Sequence, residues 1–137
     1  MKKKLICIFS TFIAIVVIIT IWKCFMRVDG NFATVVSIKY TYHDDDIDAI
    51  VTSEDDIEDI KKILKGTKYK DSPACGFSTD ISITLSNDKE SITFCPACDG
   101  CPMVRIDSSD YYIQISREQR NKLNEILKRY GMEFPCV

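Results

Sequence analysis

The chain has 137 residues, 18 of them basic and 20 acidic, with seven cysteines and a single histidine. That length holds one domain and little else. Lys2, Lys3, Lys4, Lys23 and Arg27 against Asp29 give the first 30 residues a charge of +4, which leaves −6 for residues 31–137. An acidic remainder excludes nucleic acid as a partner, because Lys and Arg neutralising phosphates supply most of that affinity. One histidine and no glycine-rich phosphate loop leave hydrolysis and phosphoryl transfer without a constellation, so no catalytic residue and no cofactor is assigned.

After the basic Met1–Lys4 start, Leu5 to Trp22 runs without a charge. At 1.5 Å per residue it reaches roughly 27 Å, close to the ~30 Å of a hydrocarbon core. Trp22 sits where an interfacial aromatic belongs. No small-x-small cleavage site follows, and Ile21, Trp22 and Lys23 before Cys24 are not a lipoprotein signal. The expectation is an uncleaved signal-anchor: residues 1–30 form a transmembrane helix and linker, with the membrane as a partner through residues 5–22. The lysines place the N-terminus inside and an extracytoplasmic domain, 31–137, outside the cell membrane, where disulfides persist.

Ala33–Tyr42 alternates as a strand, with Thr34, Val36, Ile38, Tyr40 and Tyr42 on one face. His43–Asp48 reads as a polar turn and Ala49–Thr52 as a short returning strand. Ser53 can cap a helix that opens on Glu54, Asp55 and Asp56, carries Ile57, Ile60, Ile63 and Leu64 as its apolar stripe, and ends at Gly66. Thr67–Phe77 is a loop. Thr79–Ser86 and Ser91–Cys95 pair as strands, and by alternation Cys95 points away from the core side. Met103–Asp107 and Tyr111–Ile115 are two more strands. Ser116 and Gln119 form a capping box for a helix with Leu123, Ile126, Leu127 and Tyr130 on its apolar side. Two amphipathic helices need one apolar surface, which predicts an α+β fold: an antiparallel sheet with both helices on one face. The order β-(β)-α-β-β-β-β-α is similar to the TATA-binding-protein-like topology, a resemblance of element order that carries no function.

The densest reactive stretch is Cys95-Pro96-Ala97-Cys98-Asp99-Gly100-Cys101, with Cys75 and Cys136 beyond it. The five cysteines of the domain are disulfide candidates; an odd count leaves one over as a free thiol, an intermolecular bridge or a metal ligand. The tail run Phe134-Pro135-Cys136 is short and restricted, which points to a Cys136–Cys101 bridge, with Cys75 joined to Cys95 or Cys98. Cys95, Cys98 and Cys101 also fit part of an iron–sulfur or zinc pattern, and Cys95-x-x-Cys98 a redox pair. Asp44, Asp46, Asp48 and Asp55 match calcium-loop positions 1, 3, 5 and 12, but Ala49 replaces the turn glycine and a solvated acidic turn explains the same residues. The basic start, the Pro96–Cys101 loop and the closing Phe134-Pro135-Cys136 resemble small uncharacterised membrane-tethered proteins of Gram-positive bacteria, a resemblance that implies a tether and no particular activity. Together these readings predict a membrane-anchored, disulfide-stabilised, non-enzymatic binding module for a protein partner at the cell surface. The alternative is a thiol-redox or metal-binding protein using the Cys95-Cys98-Cys101 loop.

Overall fold

A computed structural model describes residues 2–42, 45–70, 73–78, 80–107 and 109–132, with side chains described from Phe9 onward except at Tyr42 and Asp45. In chain order the elements are α1 (Lys2–Phe25), β1 (Arg27–Val28), β2 (Val35–Tyr42), β3 (Asp45–Ile50), α2 (Glu54–Ile63), β4 (Gly66–Thr67), β5 (Tyr69–Lys70), β6 (Ile81–Ser86), β7 (Ser91–Pro96), β8 (Met103–Ile106), β9 (Tyr111–Gln114) and α3 (Arg117–Arg129). Seven strands form one antiparallel sheet in the order β3-β2-β6-β7-β8-β9-β5, and β1 pairs with β4 beside it. The fold is α+β.

Period-two alternation decides which face is covered. Val36, Ile38 and Tyr40 of β2, Ile81, Ile83 and Leu85 of β6, Phe94 of β7, Val104 of β8 and Ile113 of β9 all point one way. Ile60 and Ile63 of α2 and Leu123, Ile126 and Leu127 of α3 close over them in a single core. Burying each such side chain is worth about 1.5–3 kcal/mol.

Several elements depart from their expected bounds. The expected polar turn at 43–48 and the short strand after it are replaced in part by β3, which pairs with β2 from Ser37↔Ile50 to Tyr42↔Asp45. Aspartates disfavour strands, but here Asp46 and Asp48 alternate with Ile47 and Ala49 on an edge, so the carboxylates face water. The expected loop 67–77 contains β5, which adds an edge strand to β9. The expected linker is partly structured. Val28 is buried, and a Cβ at Gly30 would overlap the Leu85 side chain, so the chain approaches the core closely there.

The expected transmembrane helix needs correction. Among the described residues no helix is long and apolar enough to cross a membrane. Lys23 closes the apolar run in the last turn of α1. The signal-anchor and the single-pass placement at the cell membrane, with residues 31–137 outside, fall with it.

A polar clamp joins the start of α2 to the end of α3. Asp56, only 7 % exposed, accepts from Arg129 Nη2, from Arg129 Nε at 3.4 Å and from Tyr130 Oη at 3.1 Å. Lys122 pairs with Asp59 across the same helices at 2.8 Å. The Arg129 guanidinium is the main reason the Asp56 carboxyl titrates below its ordinary value, against the opposing pull of burial. We expect Asp56→Ala to lower the unfolding free energy by roughly 1.5–3 kcal/mol, the range for hydrogen bonds to a charged group. A depressed folded pKa stabilises above the unfolded value of about 3.9 and loses that stabilisation as pH falls through the folded value. Urea midpoints should therefore show a constant deficit near neutrality that shrinks in acid. A deficit that persists unchanged in acid would mean the carboxylate charge is not its source.

Candidate functional site

The cysteine loop follows from where β7 leaves the sheet: Cys95 points away from the helices, Cys98 packs against the helix-covered core, and Cys101 reaches the start of α3. Cys75 and Cys101 form a disulfide, with Cα atoms 6.1 Å apart and a sequence separation of 26. A loop of that size is worth roughly 3–4 kcal/mol in the chain-entropy account. The Cys101–Cys75 bond replaces the expected bridge from Cys101 to Cys136, which lies outside the described residues, and it also overturns the pairing of Cys75 with Cys95 or Cys98. Cys95 and Cys98 are thiols.

Asp99 organises this loop. Its Oδ2 accepts from the Gly76 amide at 2.7 Å, and its Oδ1 accepts from the Cys101 amide at 3.1 Å. One carboxylate thus holds both cysteine-bearing segments, and the Gly76 hydrogen bond leads the causes that lower its pKa. The Cys98 amide donates to the Gly76 carbonyl at 2.7 Å, and Phe77 bridges Ala97 in antiparallel fashion. Gly100 turns the chain at φ +80°, a conformation that costs other residues roughly 1–2 kcal/mol. Met103 opens β8, and its Sδ lies 3.6 Å from Cys75 Sγ.

Cys95 is 2 % exposed although it points away from the helices. Its register neighbour on β8 is Arg105, which in turn faces Tyr112 on β9. The Phe77 ring packs 5.3 Å from the Tyr112 ring, and the Arg105 guanidinium lies 5.7 Å from the Phe77 centroid. Phe77 and Arg105 therefore stack on the face that carries Cys95. Burial pushes the Cys95 thiol up, against a hydrogen bond from Arg105.

A cleft of about 400 Å³ opens beside this loop, between Asp99–Pro102 and the first turn and a half of α3, where Arg117, Arg120 and Asn121 line it. Arg120 is 3 % exposed and donates through Nη1 to the Cys101 carbonyl. Burial lowers its pKa, while Asp99 opposes that shift.

The other expected ligands are dispersed. Asp46 accepts from the Thr41 hydroxyl at 3.2 Å, and Asp48 pairs with Lys39 at 3.9 Å, both along the β2–β3 edge. Asp55 sits in the first turn of α2, and Asp44 lies outside the described residues. Among the described residues, the one group able to place three ligand atoms within 4.8 Å of one another is Cys75, Asp99 and Cys101. Cys95 and Cys98 do not join it. Sequence reasoning missed Asp99, Met103, Arg105 and Arg120. Only Asp99 carried a local signal, as an Asx turn before glycine.

No protein-family model matches the chain, and no curated protein or solved structure matches it either.

The burial and raised pKa of Cys95 predict slow chemistry, because the thiolate is the nucleophile. In the folded, oxidised protein, iodoacetamide should modify exposed Cys24 at least ~10-fold faster than Cys95. Peptide mapping of a time course measures both rates. Equal rates would mean that the Phe77–Arg105 stack does not shield the thiol.

Proposed function

We propose that the protein is a non-enzymatic, disulfide-stabilised binding module, and that its binding site is the cleft between the cysteine loop and α3. The observation that supports this reading is the pair of guanidiniums at the start of α3. Arg117 and Arg120 stand in the first turn and the one after it, at the positive end of the helix dipole, where cations are disfavoured. A bound anion would relieve that repulsion and use the fork geometry of arginine. Among the described residues the only carboxylate lining the cleft, Asp99, already spends both oxygens on backbone amides. The disulfide, Asp99 and the capped helix start hold the walls fixed, which limits the entropy lost on binding. The partner fitting this chemistry is a protein that presents an acidic side chain or segment.

The test is an amide-resonance titration of the oxidised protein with an Asp/Glu hexapeptide and, separately, a Lys hexapeptide of the same length. Saturable shifts are expected for the acidic peptide alone, confined to residues 99–101 and 116–121. Arg117→Glu should weaken that binding at least tenfold, about 1.4 kcal/mol. Absence of saturable shifts, or equal shifts with the lysine peptide, would refute the reading.

A further inference from the structure

Next to the binding cleft, and argued without it, the loop carries a sulfur cluster whose arrangement exceeds what a structural disulfide needs. We propose that the reduced protein binds one soft metal ion, of which monovalent copper is the best fit, through the thiolates of Cys75 and Cys101 and the thioether of Met103.

Three observations carry this. The ligand atoms of Cys75, Asp99 and Cys101 all lie within 4.8 Å of one another, so an ion could reach them with small movements. Met103 Sδ lies 3.6 Å from Cys75 Sγ, which adds a third sulfur on the same side. The two cysteine-bearing segments are also held together by contacts that survive loss of the S–S bond. Gly76 and Cys101 donate to Asp99 at 2.7 and 3.1 Å, and Cys98 donates to the Gly76 carbonyl at 2.7 Å. Reduction therefore leaves two thiols facing each other.

Ligand softness selects the ion. Thiolate and thioether together favour monovalent copper, whereas zinc takes thiolate, imidazole and carboxylate in a closed tetrahedron. Asp99 is occupied by two amides, so it positions the cysteines and is not counted as a ligand. Cys75, Cys101 and Met103 are all partly exposed, which gives an ion a way in.

The chemistry balances with a dithiol as reductant. Two electrons and two protons from the dithiol break the Cys75–Cys101 bond and leave two thiols, while the dithiol becomes its own disulfide. One monovalent copper ion then displaces both thiol protons, which gives a complex of net charge −1 and two released protons. The disulfide and the metal exclude one another, so redox state gates the site.

The full chain, reduced with a phosphine and kept anaerobic, is titrated with monovalent copper against bicinchoninate as competitor. One tightly held equivalent is expected in the reduced protein and none at the same strength in the oxidised protein. Met103→Leu, which keeps the volume, should weaken that equivalent at least tenfold. Cys75→Ser combined with Cys101→Ser should remove it, while Cys95→Ser combined with Cys98→Ser should leave it. If Met103→Leu binds as the parent does, if the Cys75/Cys101 variant retains the equivalent, or if the Cys95/Cys98 variant loses it, the assignment is overturned. Should the Cys75/Cys101 variant fail to fold by circular dichroism, Met103→Leu and the oxidised protein decide the question. Acidic-peptide binding is unaffected by Met103→Leu, so failure of the metal site and failure of the cleft are read separately.

Discussion

A sheet has two faces, and among the described residues two amphipathic helices, α2 and α3, are there to cover them. α2 and α3 carry their apolar residues on one side each, and the strands answer with apolar residues on one side each, so a single core forms. The other face must then tolerate water or find a different cover. Over much of its area it does the first. Ser37, Thr84 and Thr93 stand in register across β2, β6 and β7, and the Thr84 and Thr93 hydroxyls bond each other at 2.9 Å. Near Cys95 it does the second. There the face carries Arg105 and Tyr112, and Phe77, from the segment before β6, stacks against both. The segment carrying Phe77, tied to the cysteine loop by the Cys75–Cys101 bond, is thus a small second layer over one end of the open face.

That layer is held in two physically different ways. The Cys75–Cys101 bond acts largely on the unfolded chain, by removing conformations from it. Asp99 acts on the folded chain, where it satisfies two backbone amides that would otherwise need other partners. The two do not substitute for one another. The covalent bond sets how much entropy folding costs, and the carboxylate sets where the two segments sit. This division is why the loop can keep its shape when the sulfur chemistry changes.

The sheet and its helices were legible because their signals are local and repeated. Alternation in Ile81-Ser82-Ile83-Thr84-Leu85 and the Ser116/Gln119 capping box each name a structure within a few residues, and both are present. β3 was partly missed because strand propensity weighs each Asp against a strand, whereas only the edge position shows that Asp46 and Asp48 can face solvent. The N-terminal run was read from its charge-free length, its flanking lysines and Trp22, and among the described residues it does not provide a membrane-crossing helix. At the site, the cysteines announced themselves by type and spacing, but their pairing did not. Cys75 meets Cys101 because the chain entering β6 lies beside the end of β7, and that adjacency is a property of strand order. Met103 was invisible for the same reason: only the β8 register carries its sulfur to Cys75.

Cys101 is where the cleft and the sulfur cluster meet. Its sulfur bonds Cys75, its amide donates to Asp99, and its carbonyl accepts from Arg120, which lines the cleft. A change of state at the sulfur is therefore one residue away from the guanidinium proposed to receive an anion. Binding at either place shifts the other only if the Cys101 backbone differs between states, and any such coupling is reciprocal. The Asp99 bracket works against such a difference, since it fixes the Cys101 amide in both redox states. The expected outcome is weak coupling: the acidic hexapeptide should bind the oxidised and the phosphine-reduced protein within about fivefold, or roughly 1 kcal/mol. Removing the bracket should uncover the coupling, so that Asp99→Ala widens the gap between the two redox states. Parallel titrations of both proteins in both states measure it. A large redox effect in the parent chain, or no change on removing Asp99, would show that something other than this carboxylate insulates the cleft from the cysteines.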